Sequence, residues 1–221
     1  LAFGKFVKPE DVYVEGIKDL YLQDIVYAGN WGYAVKLLAV AKRKGDLLEL
    51  RVHPTLISMR HLLSAVKGED NAVFIKGDMI GESMVYGKGA GRFPAASSVV
   101  SDILDIAKSI NASSAEDYNH LKLTSGKGVH KIAKIGNLVT RYYIRFSAID
   151  NPGVLAAIST ILAKNKISIA TVSQKERKKG QAVPIVMVTH EAEEASMNKA
   201  LKVIDGLKFV KEKTVRIRIE R

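Results

Sequence analysis

A chain of 221 residues, 47% hydrophobic and 26% charged, suits one large globular domain or two small ones. It contains no cysteine, which excludes a disulfide framework and thiol chemistry and fits a reducing, cytoplasmic setting. No apolar run reaches the roughly 18 residues of a membrane helix, and the net charge of +11 comes from scattered lysines and arginines without interleaved aromatics, so neither membrane nor nucleic acid is expected as a partner.

The chain opens at Leu1 and its first methionine is Met59. "LAFGKFVKPEDVYVEGI" lacks the apolar stretch of a signal peptide. The expectation is the C-terminal part of a longer protein. "KPEDVYVEGI" reads as a loop entering a short extended segment, and "YLQDIVYAGNWG" as a short helix. In that helix Leu22, Ile25 and Val26 share a face, and Gly29 and Gly32 mark the end. Two β-rich runs follow around a Lys44-Gly45-Asp46 turn, a hairpin whose second run should stop at Pro54, which cannot donate to a ladder.

"RHLLSAV" predicts a short helix. Ala72 to Lys76 and Ser83 to Tyr86 predict a second hairpin, bent first at Gly77-Asp78. After the glycine-rich "YGKGAGRFP" comes a helix, with Val99, Val100, Ile103, Ile106 and Ile110 at helical spacing. Residues 111–137 are polar and weakly periodic and read as a linker.

A new pattern starts near Thr140. Tyr142 to Phe146 alternate as a strand does, and Asp150-Asn151-Pro152-Gly153 turns into a helix from Val154 to Lys164. Asp150 or Asn151 is the expected cap, with Pro152 in the first turn. Strands are expected at Ile167 to Gln174 and at Pro184 to His190, joined by the basic "QKERKKGQ". A helix in "EEASMNKALKVIDG" and a last strand, "VRIRIE", with Val215, Ile217 and Ile219 on one face, complete a βαββαβ order.

"DNPGVLAAISTILAKNKISIATVSQ" resembles the ACT domain, a small-molecule regulatory module. The resemblance implies that the turn binds an amino-acid effector through Asp150, Asn151, Gly153, Val154 and Leu155, with Thr171 and Gln174 from the second strand. Helix-start N–H groups suit a carboxylate in any case.

The stretches "VEGI", "KLLAVA", "VHPTLI", Asn71-Ala72-Val73 and "YGKGAGRFPAASSVVSDI" resemble the end of the homoserine dehydrogenase catalytic domain. Short bacterial and archaeal members of that family carry an ACT domain just after it. The implied reaction is the NAD- or NADP-dependent interconversion of L-aspartate 4-semialdehyde and L-homoserine. Threonine is the implied effector, and a homodimer or tetramer the implied assembly. The family's acid–base lysine and Rossmann domain match nothing in these residues, so no catalytic residue is assigned and the chain alone is expected to be inactive. The implied division is 1–112 for the catalytic and dimerisation part, 113–138 for a linker and 139–221 for the ACT domain. The fold class is α+β: a mixed β-sheet with helices on one face, then a ferredoxin-like βαββαβ domain.

The glycine loop fits neither G-x-G-x-x-G nor G-x-x-x-x-G-K-[ST]. By resemblance it touches the cofactor through Gly89, Ala90 and above all Gly91. The sequence departs from the family at Lys88 and at Arg92-Phe93-Pro94-Ala95. His53 and His61 lack metal-ligand spacing and read as turn histidines, and no metal is expected. Glu15 is either a functional acid or a surface carboxylate. One rival reading is a non-enzymatic amino-acid sensor on a dimerisation scaffold, which an upstream dinucleotide-binding unit would exclude. A weaker one is an RNA-binding protein, whose binding would be steeply salt-dependent.

Overall fold

The computed structural model describes residue 3 and residues 7–111, 131–174 and 181–220. Most of the expected linker and of the basic "QKERKKGQ" turn lies outside them. Residues 60–111 belong to one compact unit, and 7–59 with 131–220 to another.

The larger unit is built on one mixed sheet. After a 3₁₀ turn at Pro9–Asp11 come β1 (Tyr13–Val14), α1 (Leu22–Asn30), β2 (Tyr33–Lys44) and β3 (Leu47–Ser58). β2 and β3 pair along their whole length, from Tyr33↔Ser58 to Lys44↔Leu47, with Gly45 at φ 57° in the two-residue turn. The end of the expected linker is ordered into this sheet: β6 (Lys131–Ile132) runs parallel to the start of β3, and Ile135–Asn137 is a 3₁₀ turn.

The rest is the expected βαββαβ: β7 (Val139–Ile149), α3 (Val154–Lys164), β8 (Ile169–Ser173), β9 (Ala182–Thr189), the two-residue β10 (Ala192–Glu193), α4 (Glu194–Asp205) and β11 (Val215–Ile219). The strand order is β1-β3-β11-β7-β9-β8, with β2 on the other side of β3. β11 pairs antiparallel with β7 and parallel with β3, so the sheet runs across the boundary expected at residue 139.

Alternation along β7 sorts its side chains onto the two faces. Tyr142, Ile144, Phe146 and Ala148 meet Ile158 and Leu162 of α3 and Met197, Ala200 and Ile204 of α4. A fully buried side chain such as Leu162 contributes about 2–3 kcal/mol by leaving water. Tyr143 faces the other way, with Val186, Val188, Ile217 and Ile219, and there Ala28 of α1 covers it. One helix therefore lies on the face opposite α3 and α4.

Two sequence expectations change here. β3 does not stop at Pro54 but continues to Ser58. The carbonyls of Val52 and Leu56 accept from the N–H groups of Glu15 and Glu220, so alternate residues of β3 turn to the edge shared by β1 and β11. Pro54 lies between those contacts, where β1 has ended at Val14↔Val52 and the β11 pairing is at Thr55 and Leu56. At that seam a missing N–H costs nothing. In α1 the buried face is Asp24 and Ala28, while Leu22, Ile25 and Val26 are exposed.

The smaller unit holds a 3₁₀ turn at Leu62–Ala65, the hairpin β4 (Asp70–Gly77) and β5 (Gly81–Lys88), and α2 (Arg92–Asn111). "RHLLSAV" is thus a 3₁₀ turn, and the hairpin and helix both extend beyond the expected ends. Val99, Val100, Ile103, Leu104, Ile106 and Ile110 are all more than half exposed.

Candidate functional sites

The glycine loop joins β5 to α2. Its three candidates have different roles. The Gly89 N–H donates to the Glu69 carbonyl at 3.1 Å, and a Cβ on Gly89 would stand 1.3 Å from Asn71 Nδ2. The missing side chain there makes room for Asn71. Gly91 has φ 119°, a conformation side chains rarely adopt, and starts the helix: its carbonyl accepts from Ala95 N–H at 3.0 Å. Ala90 and Gly91 line an open concavity of about 610 Å³ with Glu69, Lys88, Arg92, Phe93, Pro94 and Ser97. Gly89 does not line it. Lys88 is bound by the Glu69 carboxylate, and the Arg92 guanidinium stacks over Phe93 at 5.6 Å. Pro94 has no N–H and the Ala95 N–H is taken by Gly91, so the Arg92 and Phe93 N–H groups, with the Arg92 guanidinium, are what suits an anionic group such as a phosphate at this helix start.

The second candidate is the turn from β7 into α3. Gly153, at φ 89°, is the N-cap residue and no side chain caps the helix, so neither Asp150 nor Asn151 has the expected capping role. The reason is geometric: the chain reaches the helix through a left-handed residue, and the Asn151 carbonyl takes the Val154 N–H at 3.3 Å. This leaves the Asp150 carboxylate for other work. Its Oδ1 accepts from Gln174 Nε2 at 3.4 Å, and its Oδ2 is buried with no hydrogen-bond partner among the described residues. Val154 is buried beneath the turn, while Asn151, Gly153 and Leu155 are exposed beside it. Thr171 is exposed on β8, and Gln174 lies just past the end of that strand. Gln174 is brought to the turn by its bond to Asp150.

Two buried charge clusters lie on the faces of the same sheet. On the α4 face, Glu194 accepts from Arg218 Nε at 2.9 Å and Nη2 at 2.6 Å, from Arg216 Nη1 at 2.7 Å and from the Tyr142 hydroxyl at 2.8 Å. Glu15 accepts from Arg218 Nη1 at 3.0 Å, Arg216 Nη2 at 3.2 Å and the Tyr13 hydroxyl at 2.7 Å. Burial opposes ionisation of both carboxyls, but the two guanidiniums overcome it and hold each below the usual carboxylate range. Glu15 is therefore an ion-pair residue. Burial and the Glu194 charge push the Tyr142 phenol up. On the opposite face Asp24 accepts from Arg145 Nε at 2.6 Å and Nη2 at 3.1 Å and from the Tyr143 hydroxyl at 2.8 Å.

His53 is a buried strand residue and not a turn histidine. It alternates with Arg51 and Thr55 on one face of β3, with Nε2 3.0 Å from Arg51 Nη1 and Nδ1 2.9 Å from the Pro54 carbonyl. Arginine only donates, so Nε2 is the acceptor and Nδ1 carries the proton. Burial, with the neighbouring arginine charges, lowers its pKa to about 4. His61 is a turn residue as expected, accepting from Leu63 N–H. Among the described residues no group of three or more metal-ligand side chains occurs, and no helix is long and apolar enough to cross a membrane.

Comparison with known proteins agrees with this architecture. Residues 1–104 match the family model "Homoserine dehydrogenase", and residues 142–209 match "ACT domain". Homoserine dehydrogenase from Pseudomonas aeruginosa is 39% identical over all of this chain and 51% of its own length. That from Synechocystis is 41% identical over 96% of this chain and 50% of its own length. The crystal structure of a homoserine dehydrogenase from Thiobacillus denitrificans superposes with a TM-score of 0.82 at 41% identity, over 96% of this chain and 48% of that one. The chain spans about half the length of the curated relatives it matches. With both family models in sequence order and the matching fold, the chain belongs to the homoserine dehydrogenase family and carries its ACT domain.

Proposed function

We propose that this chain supplies the end of the catalytic and dimerisation domain, and the regulatory ACT domain, of an NAD- or NADP-dependent homoserine dehydrogenase. The full protein interconverts L-aspartate 4-semialdehyde and L-homoserine in the cytoplasm, as a homodimer or tetramer. The chemistry such a cofactor would supply when bound is a hydride donor or acceptor for the carbonyl carbon. The residues of this chain that fit the cofactor are Ala90 and Gly91, whose backbone can be approached closely, and the α2 N-terminus with Arg92 for its anionic part. The 221 residues contain no G-x-G-x-x-G unit and should not turn over homoserine by themselves. Robust homoserine oxidation by this chain alone would overturn that reading.

The observation that carries the regulatory reading is the Asp150 carboxylate oxygen, buried beside the start of α3 with no hydrogen-bond partner among the described residues. A buried acceptor without a donor is costly, and an incoming ammonium supplies one. The N–H groups of the first helical turn have no intrahelical acceptor and suit a carboxylate. A zwitterionic amino acid carries both groups, and threonine is the proposed effector. The turn and Gln174 take it; Thr171 has the weaker claim. Titration calorimetry with threonine, serine, lysine and methionine tests this. Heat with threonine, lost in Asp150→Ala and weakened in Gln174→Ala, is expected. No heat with any of the four would make the ACT domain purely structural.

A further inference from the structure

The two carboxylates that tie residues 13–30 to the ACT sheet are not equivalent. Asp24 is fully buried, and its partner Arg145 is 3% exposed. Their separation would leave a guanidinium stranded among apolar side chains. Glu15 is the exposed end of its cluster, with 33% of its side chain accessible against 1% for Glu194. If Glu15 withdraws, Arg218 keeps both bonds to Glu194 and Arg216 keeps one. Their remaining N–H groups then face the opening that Glu15 and Tyr13 leave to water. Both guanidiniums still have a carboxylate partner in Glu194, and the one positive charge in excess faces that opening.

The backbone shows the same asymmetry. Among the described residues β1 is held by two register pairs, Tyr13↔Arg51 and Val14↔Val52, and by the Glu15 N–H bond to the Val52 carbonyl at 2.8 Å. A two-residue strand is among the least cooperative parts of a sheet. Beyond Glu15 the edge of β3 is taken by β11, so the chain must leave it, and α1 lies against the opposite face.

We propose that residues 13–19 form a strap, anchored beyond it by Leu20 against the sheet and by Tyr21 at the Arg145 guanidinium, and latched by Glu15 onto Arg216 and Arg218, able to open while the sheet stays folded. The latch ends on Glu194, the first residue of α4, so the strap is tied directly to an ACT helix. The inference rests on the ion pairs and the ladder and needs no effector.

Hydrogen exchange read by mass spectrometry on the 221-residue chain tests it, with wild type, Glu15→Gln and Asp24→Asn compared. In Glu15→Gln, exchange should rise about tenfold or more in peptides covering 13–19, with β7, β9 and β11 unchanged. Asp24→Asn should raise exchange across the whole unit. Raising salt from about 0.05 to about 0.5 M should open 13–15 in the wild type and spare α1. The proposal fails if Glu15→Gln exchanges like wild type at 13–19. It also fails if exchange rises equally in β7 and β11, or if that variant does not fold, since Glu15 would then be part of the core.

Discussion

The two compact units use similar side chains to opposite ends. In the larger one, valines, isoleucines and leucines at alternating and helical spacing are buried on both faces of a sheet, and the fully buried charges of Asp24, Arg51, Arg145, Glu194 and Arg218 are paired. In residues 60–111 the same residue types stand on a hairpin and a 20-residue helix, and among the described residues no hydrophobic side chain is buried. A lone hairpin is marginally stable, and a helix in water needs a packed face. Amphipathic periodicity thus identifies the face meant to be covered. It does not say that the cover comes from the same residues.

This contrast can be broken by substitution. The largest loss is expected from Asp24→Asn, which leaves Arg145 without its counter-charge: about 3–5 kcal/mol in denaturant unfolding of the larger unit. Leu162→Ala should cost about 2–5 kcal/mol by opening a cavity between α3 and the sheet.

His53 gives a pH test. Its folded pKa of about 4 lies below the ordinary 6.5, so the unfolded chain binds the proton more readily. Its contribution is therefore complete above pH 6.5 and is lost as pH falls towards 4, by about 2–3 kcal/mol. His53→Gln should flatten the stability profile across that window. The acid loss from Glu15, Glu194 and Glu220, whose pKa values are also depressed, should remain below the usual glutamate range.

In the smaller unit the effects shrink. Gly91→Ala should cost about 1–2 kcal/mol locally, through backbone strain at φ 119°, seen as faster amide exchange at the start of α2. Ile103→Ala should change unfolding of this chain by less than about 0.5 kcal/mol. A loss comparable to that of Leu162→Ala would mean that the α2 face is already covered and would end the contrast.

Legibility in the sequence followed the same physics. The helix Val154–Lys164 was readable to the residue, because a turn-forming Asn-Pro-Gly precedes it and its buried positions recur every four residues. The face of β11 carrying Val215, Ile217 and Ile219 was readable from alternation. What stayed hidden depended on distant partners. Asp24 stands in the first turn of α1, an ordinary place for an acid, and only Arg145 and Tyr143, about 120 residues away, explain why it is buried and Leu22 is not. The alternation of Arg51, His53 and Thr55 with apolar residues was a visible sign of a polar stripe inside a strand, but its counter-charge is Glu220. In the candidate effector site, the turn was legible from its residue types. The burial of an Asp150 oxygen without a partner among the described residues was not, since the turn could equally have placed that side chain on the helix cap.

Pro54 has a consequence beyond its tolerance at the seam. An open strand edge is a template on which a foreign chain can add itself, and β3 is exposed to this risk wherever its own neighbours stop. Opening of the strap would bare the β3 edge next to Pro54. A proline there offers an intruding strand no donor, so aggregation nuclei would find the gap a poor docking register. Replacing Pro54 would leave the native ladder unchanged and remove that protection.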